Sequence, residues 1–282
     1  MAEKAIGIIG GSGVYNIEGI EIIEELSVET PFGNPSDKVI HAKIDGVEFY
    51  FLPRHGRNHH VLPHEVNYCA NVYALKSIGV EYLISVSAVG SLKEECPPTT
   101  MVLPDQFIDW TKGGRRRTFF GEGIVGHVST ACPIEKGLQK VLEDSCKEVE
   151  ASYHLGGSYI CIEGPQFSSK AESNIYRSFG ATVIGMTNVP EAYLAKEAGM
   201  AYATLAMVTD YDCWREDDHC SVEEIMKVMN SNNKTAQKII KSALKNIESN
   251  RFDFVKENTF AIMTPEDVMN SKQKEICKVL KA

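Results

Sequence analysis

Short apolar runs recur along this chain, and each breaks off at a cluster of glycine or polar residues. Residues 5–9 lead into Gly10-Gly11-Ser12-Gly13, and residues 47–52 into Pro53-Arg54-His55-Gly56-Arg57. Residues 82–86 run into Ser87-Ala88-Val89-Gly90-Ser91, residues 182–186 into Thr187-Asn188, and residues 203–208 into Thr209-Asp210-Tyr211-Asp212. Runs of this length, closed by turn formers, predict strands followed by loops. Elsewhere apolar residues return every three or four positions, which predicts helices over 66–78, 136–149, 171–179 and 191–198. Three of these stop beside Gly79, Gly180 and Gly199. Ser221-Val222-Glu223-Glu224 has capping-box spacing and opens a long helix running to about residue 247. Thr264-Pro265-Glu266-Asp267, with proline at the first helical position, predicts the start of the last helix.

Strands alternating with helices imply an α/β fold: one domain over residues 1–282, with a central mixed, mostly parallel sheet flanked by helices. In such sheets ligands bind beyond the carboxyl ends of the strands. The polar clusters fall at that end of their strands, which predicts one shared site.

Composition narrows the partners. The 282 residues are 43% apolar and 24% charged, an ordinary globular balance, and the net charge is -9. That charge argues against non-specific binding to nucleic acid or to an anionic membrane surface. No run approaches the length of a membrane span, and the first residues lack a signal-peptide core, so the cytosol is the expected location. The eight cysteines are scattered without a C-x-x-C pair, unlike a zinc site or a disulfide framework.

Each cluster has a chemical and a bland reading. Gly10-Gly11-Ser12-Gly13 could cradle phosphate through amides and a hydroxyl, or be a tight turn; it is neither a dinucleotide fingerprint nor a Walker loop. Arg54-His55-Gly56-Arg57-Asn58-His59-His60 offers a guanidinium fork and imidazoles to an anion. His55/His59 and His60/His64 have H-x-x-x-H spacing, but Gly56 and Pro63 interrupt any continuous helix, so no metal is expected. Ser87–Ser91 could bind an anion or be a close-packed turn. Phe167 could stack on a planar ligand or pack in the core. Lys112-Gly113-Gly114-Arg115-Arg116-Arg117 reads as a solvated loop or a subunit contact on an acidic chain. Asp210 and Asp212, two apart at a strand end, project to one face if the strand persists. Like charges so placed favour retention of one proton, giving a donor beside an acceptor. Adenine presents that complement, with N7 accepting and the 6-amino group donating.

Taken together, GIIGGSG, TPFGNPSD, LPRHGRNH, SAVGSL, DQFID, IEGPQFSSKAES, IGMTNVPEAYLAKEAG and AMVTDYDCW resemble the trimeric purine nucleoside phosphorylase family, in its 5′-methylthioadenosine phosphorylase branch. The resemblance covers essentially the whole chain in order. It implies a nucleoside phosphorylase-like fold and phosphorolysis: phosphate attacks the ribose anomeric carbon while the bond to the purine breaks. It implies no metal and no organic cofactor, inorganic phosphate being a co-substrate. The partners it implies are a small nucleoside, phosphate, and copies of the chain in a homotrimer or a dimer of trimers.

By matching position, phosphate would be held by Ser12, Arg54, His55, Ser87, the Ala88 amide and Thr187. Met186 would lie under the ribose. Asp210 would hydrogen-bond purine N7 and Asp212 the 6-amino group, with Ser168 and Phe167 shaping the base pocket. The 5′ substituent would meet Val222, Ile225 and Met226, with His127 and a C-terminal residue of a neighbouring subunit completing an apolar pocket. Gln166 stands where many relatives carry arginine and takes no binding role. The alternatives are a phosphorylase for 6-oxopurine nucleosides or methylthioinosine, against which two acids argue, and a nucleoside-binding protein without catalysis. An NAD-dependent enzyme lacks its G-x-G-x-x-G.

Overall fold

The computed structural model describes residues 4–11, 17–215 and 222–282, without the side chains of Val222, Glu224 and Ile225. All the described strands belong to one 11-stranded sheet. They are β1 (Ala5–Gly10), β2 (Glu21–Leu26), β3 (Val39–Ile44), β4 (Val47–Pro53), β5 (Val80–Ser91), β6 (Met101–Leu103), β7 (Gln106–Trp110), β8 (Tyr153–Leu155), β9 (Ser158–Ile162), β10 (Val183–Gly185) and β11 (Ala201–Asp210). The helices are α1 (Tyr68–Ser77), α2 (Lys136–Glu148), α3 (Lys170–Ser178), α4 (Asn188–Glu197), α5 (Val222–Ser249) and α6 (Ser271–Lys281). The main path runs β2-β3-β4-β1-β5-β10-β9-β7, while β11 pairs with β5 and β6, and β6 with β8. Parallel pairings (β1 with β4 and β5, β9 with β10 and β7, β11 with β5, β6 with β8) outnumber antiparallel ones. The expected mixed, mostly parallel sheet is present.

β5 is the hub. Residues 82–90 pair with β11 along one edge. The other edge pairs with β1 only through Ser85, and with β10 from Gly90 onward. Residues 86–89 face a break between two neighbours, which is where a parallel sheet opens to a ligand. Ser87–Ser91, expected as a turn, is strand. Small side chains let it run between β11 and β10, and a Cβ on Gly90 would meet Asp210 Oδ1 and an Ile184 methyl, each at 3.1 Å.

The central strands are buried almost throughout and read as continuous apolar runs, as strands covered on both faces do. β2, by contrast, lies at the sheet edge with mostly exposed residues. α1 is buried on nearly all sides and is capped by Asn67, whose side chain accepts from the Ala70 amide. The predicted helix stops hold: Gly79, Gly180 and Gly199 have φ of +92°, +77° and +61°. The last helix starts later than expected. Residues 266–268 form one 3-10 turn, Met269 is extended, and α6 begins after Asn270, which forms a capping box with Gln273. The 221–224 capping box falls outside the described residues. No helix among them is long and apolar enough to cross a membrane.

Candidate active site

A cavity of about 780 Å³ opens at the carboxyl ends of β1, β4, β5, β10 and β11. Gly11, Arg54, His55, Ser87, Ala88, Met186, Thr187, Asp210 and Asp212 all line it, so clusters scattered over two hundred residues share one space. Ser12 lies outside the described residues.

One end is built for an anion. The Ser87 hydroxyl is buried on the cavity wall beside the Tyr159 hydroxyl. The Val86 carbonyl points out of the break in the β5 edge, where it accepts from Arg54 Nη1 at 3.0 Å. Amides two apart along a strand point to the same edge, so the Ala88 N–H faces the same break. Thr187 is buried beside it.

Arg54 differs from the expectation of a free fork. Its guanidinium is buried and grips Glu191 with Nε and Nη2, at 2.6 and 2.9 Å. Nη2 also approaches Ser85 Oγ (2.7 Å) and the Ile9 carbonyl (3.3 Å). Burial works against the charge, but Glu191 outweighs it and holds Arg54 firmly protonated. The pair ties the ends of β1, β4 and β5 to α4.

Beside it His55 is neutral. Burial, then the Arg54 charge, pushes the imidazole down to about 4. Nδ1 lies 2.8 Å from the Val61 carbonyl, an acceptor only, so Nδ1 carries the proton and Nε2 is left as an acceptor.

The other end holds the acids. Strand geometry does not persist to Asp212: β11 ends at Asp210 after a register shift, and Asp212 sits in a turn at φ +54°. What joins the pair is that turn, in which the Asp212 amide donates to Asp210 Oδ1 at 2.7 Å. Thr209 Oγ1 lies 2.6 Å from Asp210 Oδ2. Burial, with the Asp210 charge adding, raises Asp212 above the usual carboxylate range, while nearby Ser173 and Ser168 hydroxyls oppose the rise. Ser168 and Phe167 border this end, Phe167 with 86% of its surface exposed.

Residues 5–245 match the Phosphorylase superfamily. The chain belongs to that family. It is 49% identical over 275 residues to the S-methyl-5′-thioadenosine phosphorylase of Geobacter sulfurreducens, covering 97% of this chain and 96% of that one. Its fold is similar to a solved methylthioadenosine phosphorylase from an antarctic soil metagenomic library, with a TM-score of 0.94, 43% identity and 99% of each chain covered. It is also similar to the Schistosoma mansoni methylthioadenosine phosphorylase in complex with adenine, with a TM-score of 0.85, 33% identity, and 94% of this chain and 100% of that one covered.

Within this phosphorylase fold the expected 5′ residues are the least gathered. The Val222 and Ile225 side chains lie outside the described atoms. Met226 is 55% exposed and does not line the cavity. It sits one helical turn before the residues that do: Met229, Asn233, Ala236, Gln237 and Ile240, a stripe at helical spacing. Two amides on that stripe make the wall less apolar than expected. His127 is also away from the cavity of its own chain, in a segment that pairs with residues 261–263.

Sequence reasoning missed Glu191, Thr209 and Arg115. The signal for Glu191 was a lone acid on an otherwise apolar helical face; for Arg115 there was none, since the two residues that follow it are also arginine. No cluster of three potential metal ligands occurs among the described residues.

Proposed function

We propose that this chain is a pentosyltransferase that cleaves 5′-methylthioadenosine with inorganic phosphate, giving adenine and 5-methylthioribose 1-phosphate. The observation that carries the reading is a single cavity with anion-type groups at one end and the Asp210–Asp212 pair at the other. Phosphate would sit against Ser87, the Ala88 amide, Thr187, His55, the Arg54 corner and Ser12. Neutral His55 suits a phosphate that still carries a proton, because Nε2 can accept it.

One phosphate oxygen forms the new bond to the anomeric carbon as the bond to N9 breaks, and the electron pair of that bond goes to the purine. The transition state is oxocarbenium-like, as in other glycosidic cleavages. Asp210 donates to N7 and Asp212 accepts from the 6-amino group, so the departing base leaves neutral. Two ionised acids would face N7 with acceptors only. Burial beside the Asp210 charge favours a retained proton on Asp212, so donation to N7 requires that proton to pass to Asp210 as the purine binds. Met186 supports the ribose, and Phe167 and Ser168 border the base. No metal or organic cofactor enters this scheme.

Assembly as a homotrimer, alone or paired, is part of the same reading. Val125, Phe260 and Met263, each more than half exposed, surround the segment carrying His127. A neighbouring copy covering them would bring His127 toward a second cavity. The reaction's location is read as cytosolic.

The deciding experiment is base release from a nucleoside panel with and without phosphate. Phosphate-dependent release of adenine from methylthioadenosine, and little hypoxanthine from methylthioinosine, is expected. Tight nucleoside binding with no release would leave a binding protein instead.

A further inference from the structure

The triple arginine does not act as a unit. Arg116 and Arg117 are exposed, paired with Glu122 and Asp109. Arg115 turns inward and is only 6% exposed. We propose that Arg115 is a positioning residue that fixes the ribose-supporting end of β10 against the wall of the base pocket.

Its guanidinium spans two strand ends. Nε donates to Glu163 Oε1 at 2.7 Å, and Nη2 to the carbonyls of Glu163 (2.8 Å) and Ile162 (3.3 Å), all at the end of β9. Nη1 donates to the carbonyls of Met186 (2.7 Å) and Val189 (2.8 Å), past the end of β10, and lies 3.1 Å from the Tyr68 hydroxyl. The two ends touch at one point: a Cβ built on Gly164 would sit 2.5 Å from Met186 Sδ. Glu163 is anchored from its other side by the Lys112 amide at 2.7 Å. From Gly164 the chain continues to Phe167 and Ser168, while Met186 leads directly to Thr187.

A planar fork with five donors is the one side chain that can hold carbonyls on both sides at once; a lysine ammonium offers three donors from a point. The fork therefore sets the offset between what holds the base and what holds the sugar. This rests on the proposed function, in which Met186 meets ribose and Phe167-Ser168 meet the purine. An offset matters to a nucleoside, which bridges both walls, and little to free adenine, which touches one.

The test compares wild type with Arg115→Lys, using methylthioadenosine turnover at saturating phosphate and calorimetric binding of free adenine. The expected result is a KM for methylthioadenosine raised tenfold or more, with the adenine dissociation constant changed less than threefold. An unchanged KM, with kcat falling only as the fraction of adenine-binding sites falls, would reduce Arg115 to a folding role and overturn the inference. Equal weakening of nucleoside and adenine would overturn it too. If Arg115→Lys does not fold, Glu163→Gln keeps every backbone acceptor and should raise the nucleoside KM about threefold more than the adenine constant; no such split overturns the proposal. A wild type that releases no adenine from methylthioadenosine defeats the functional reading itself, whatever the variants do.

Discussion

The two ends of the cavity solve opposite problems. At the anion end the charge is already balanced: Arg54 and Glu191 are buried against each other, with Ser85 and the ends of three strands sharing their hydrogen bonds. At the base end the acids share a turn, Phe167 is bare, and Asp212 is raised by burial and by the Asp210 charge. The first end holds the sheet together whether or not ligand is present. The second is strained and open, and a purine that donates and accepts would satisfy it. Stability should reside in the first and turnover in the second.

The strongest way to break that contrast is Asp210→Asn. Loss of the acid should cut kcat/KM for methylthioadenosine by roughly 10²–10⁴-fold, the usual worth of a positioned acid, with the urea midpoint nearly unchanged. A matching fall in stability would erase the distinction. Glu191→Gln should do the reverse. An uncompensated buried guanidinium costs about 3–5 kcal/mol, read from urea unfolding, with the surviving folded enzyme keeping its base selectivity.

A pH series sharpens the anion end. His55 titrates at about 4 in the folded chain against an ordinary value near 6.5, so the unfolded chain binds more protons between those values. Stability contributed by neutral His55 is therefore full above about 6.5 and drains as pH falls toward about 4, by at most about 1.4 kcal/mol per pH unit. Chemical denaturation at several pH values should show this slope, and His55→Gln should flatten it. The smallest effect belongs to Ser87→Ala. Removing this buried hydroxyl should raise the phosphate KM about tenfold, a hydrogen bond's worth near 1.4 kcal/mol, with at most a small loss of stability from the Tyr159 hydroxyl beside it. Steady-state kinetics with phosphate varied would show it.

Most strands that carry the site were legible because buried parallel strands are apolar runs ended by turn residues. The site clusters were legible for the same reason: they follow those runs. What was hidden depended on contacts distant in sequence. Ser87–Ser91 looks like a turn until β10 and β11 are known to flank it. Arg115 looks like its neighbours until Met186 and Glu163, far along the chain, supply its acceptors. The Asp210–Asp212 pairing was expected from strand alternation and arises from a turn instead, so the right residues came from the wrong geometry. Along α5 the period was right, but which turns reach the cavity depends on how the helix crosses β11.

The cancelled charge of Arg54 has a consequence for how phosphate arrives. With Glu191 locked to it, the corner presents little net positive potential, and the chain as a whole carries -9. Recognition then falls to short-range dipoles: a hydroxyl, an amide, an imidazole. Dipoles at contact are barely screened by dissolved ions, whereas a free cation's pull fades beyond about 8 Å at physiological ionic strength. Uptake of phosphate by this enzyme should thus be nearly indifferent to added salt, its encounter rate unassisted by steering and its selectivity drawn from fit.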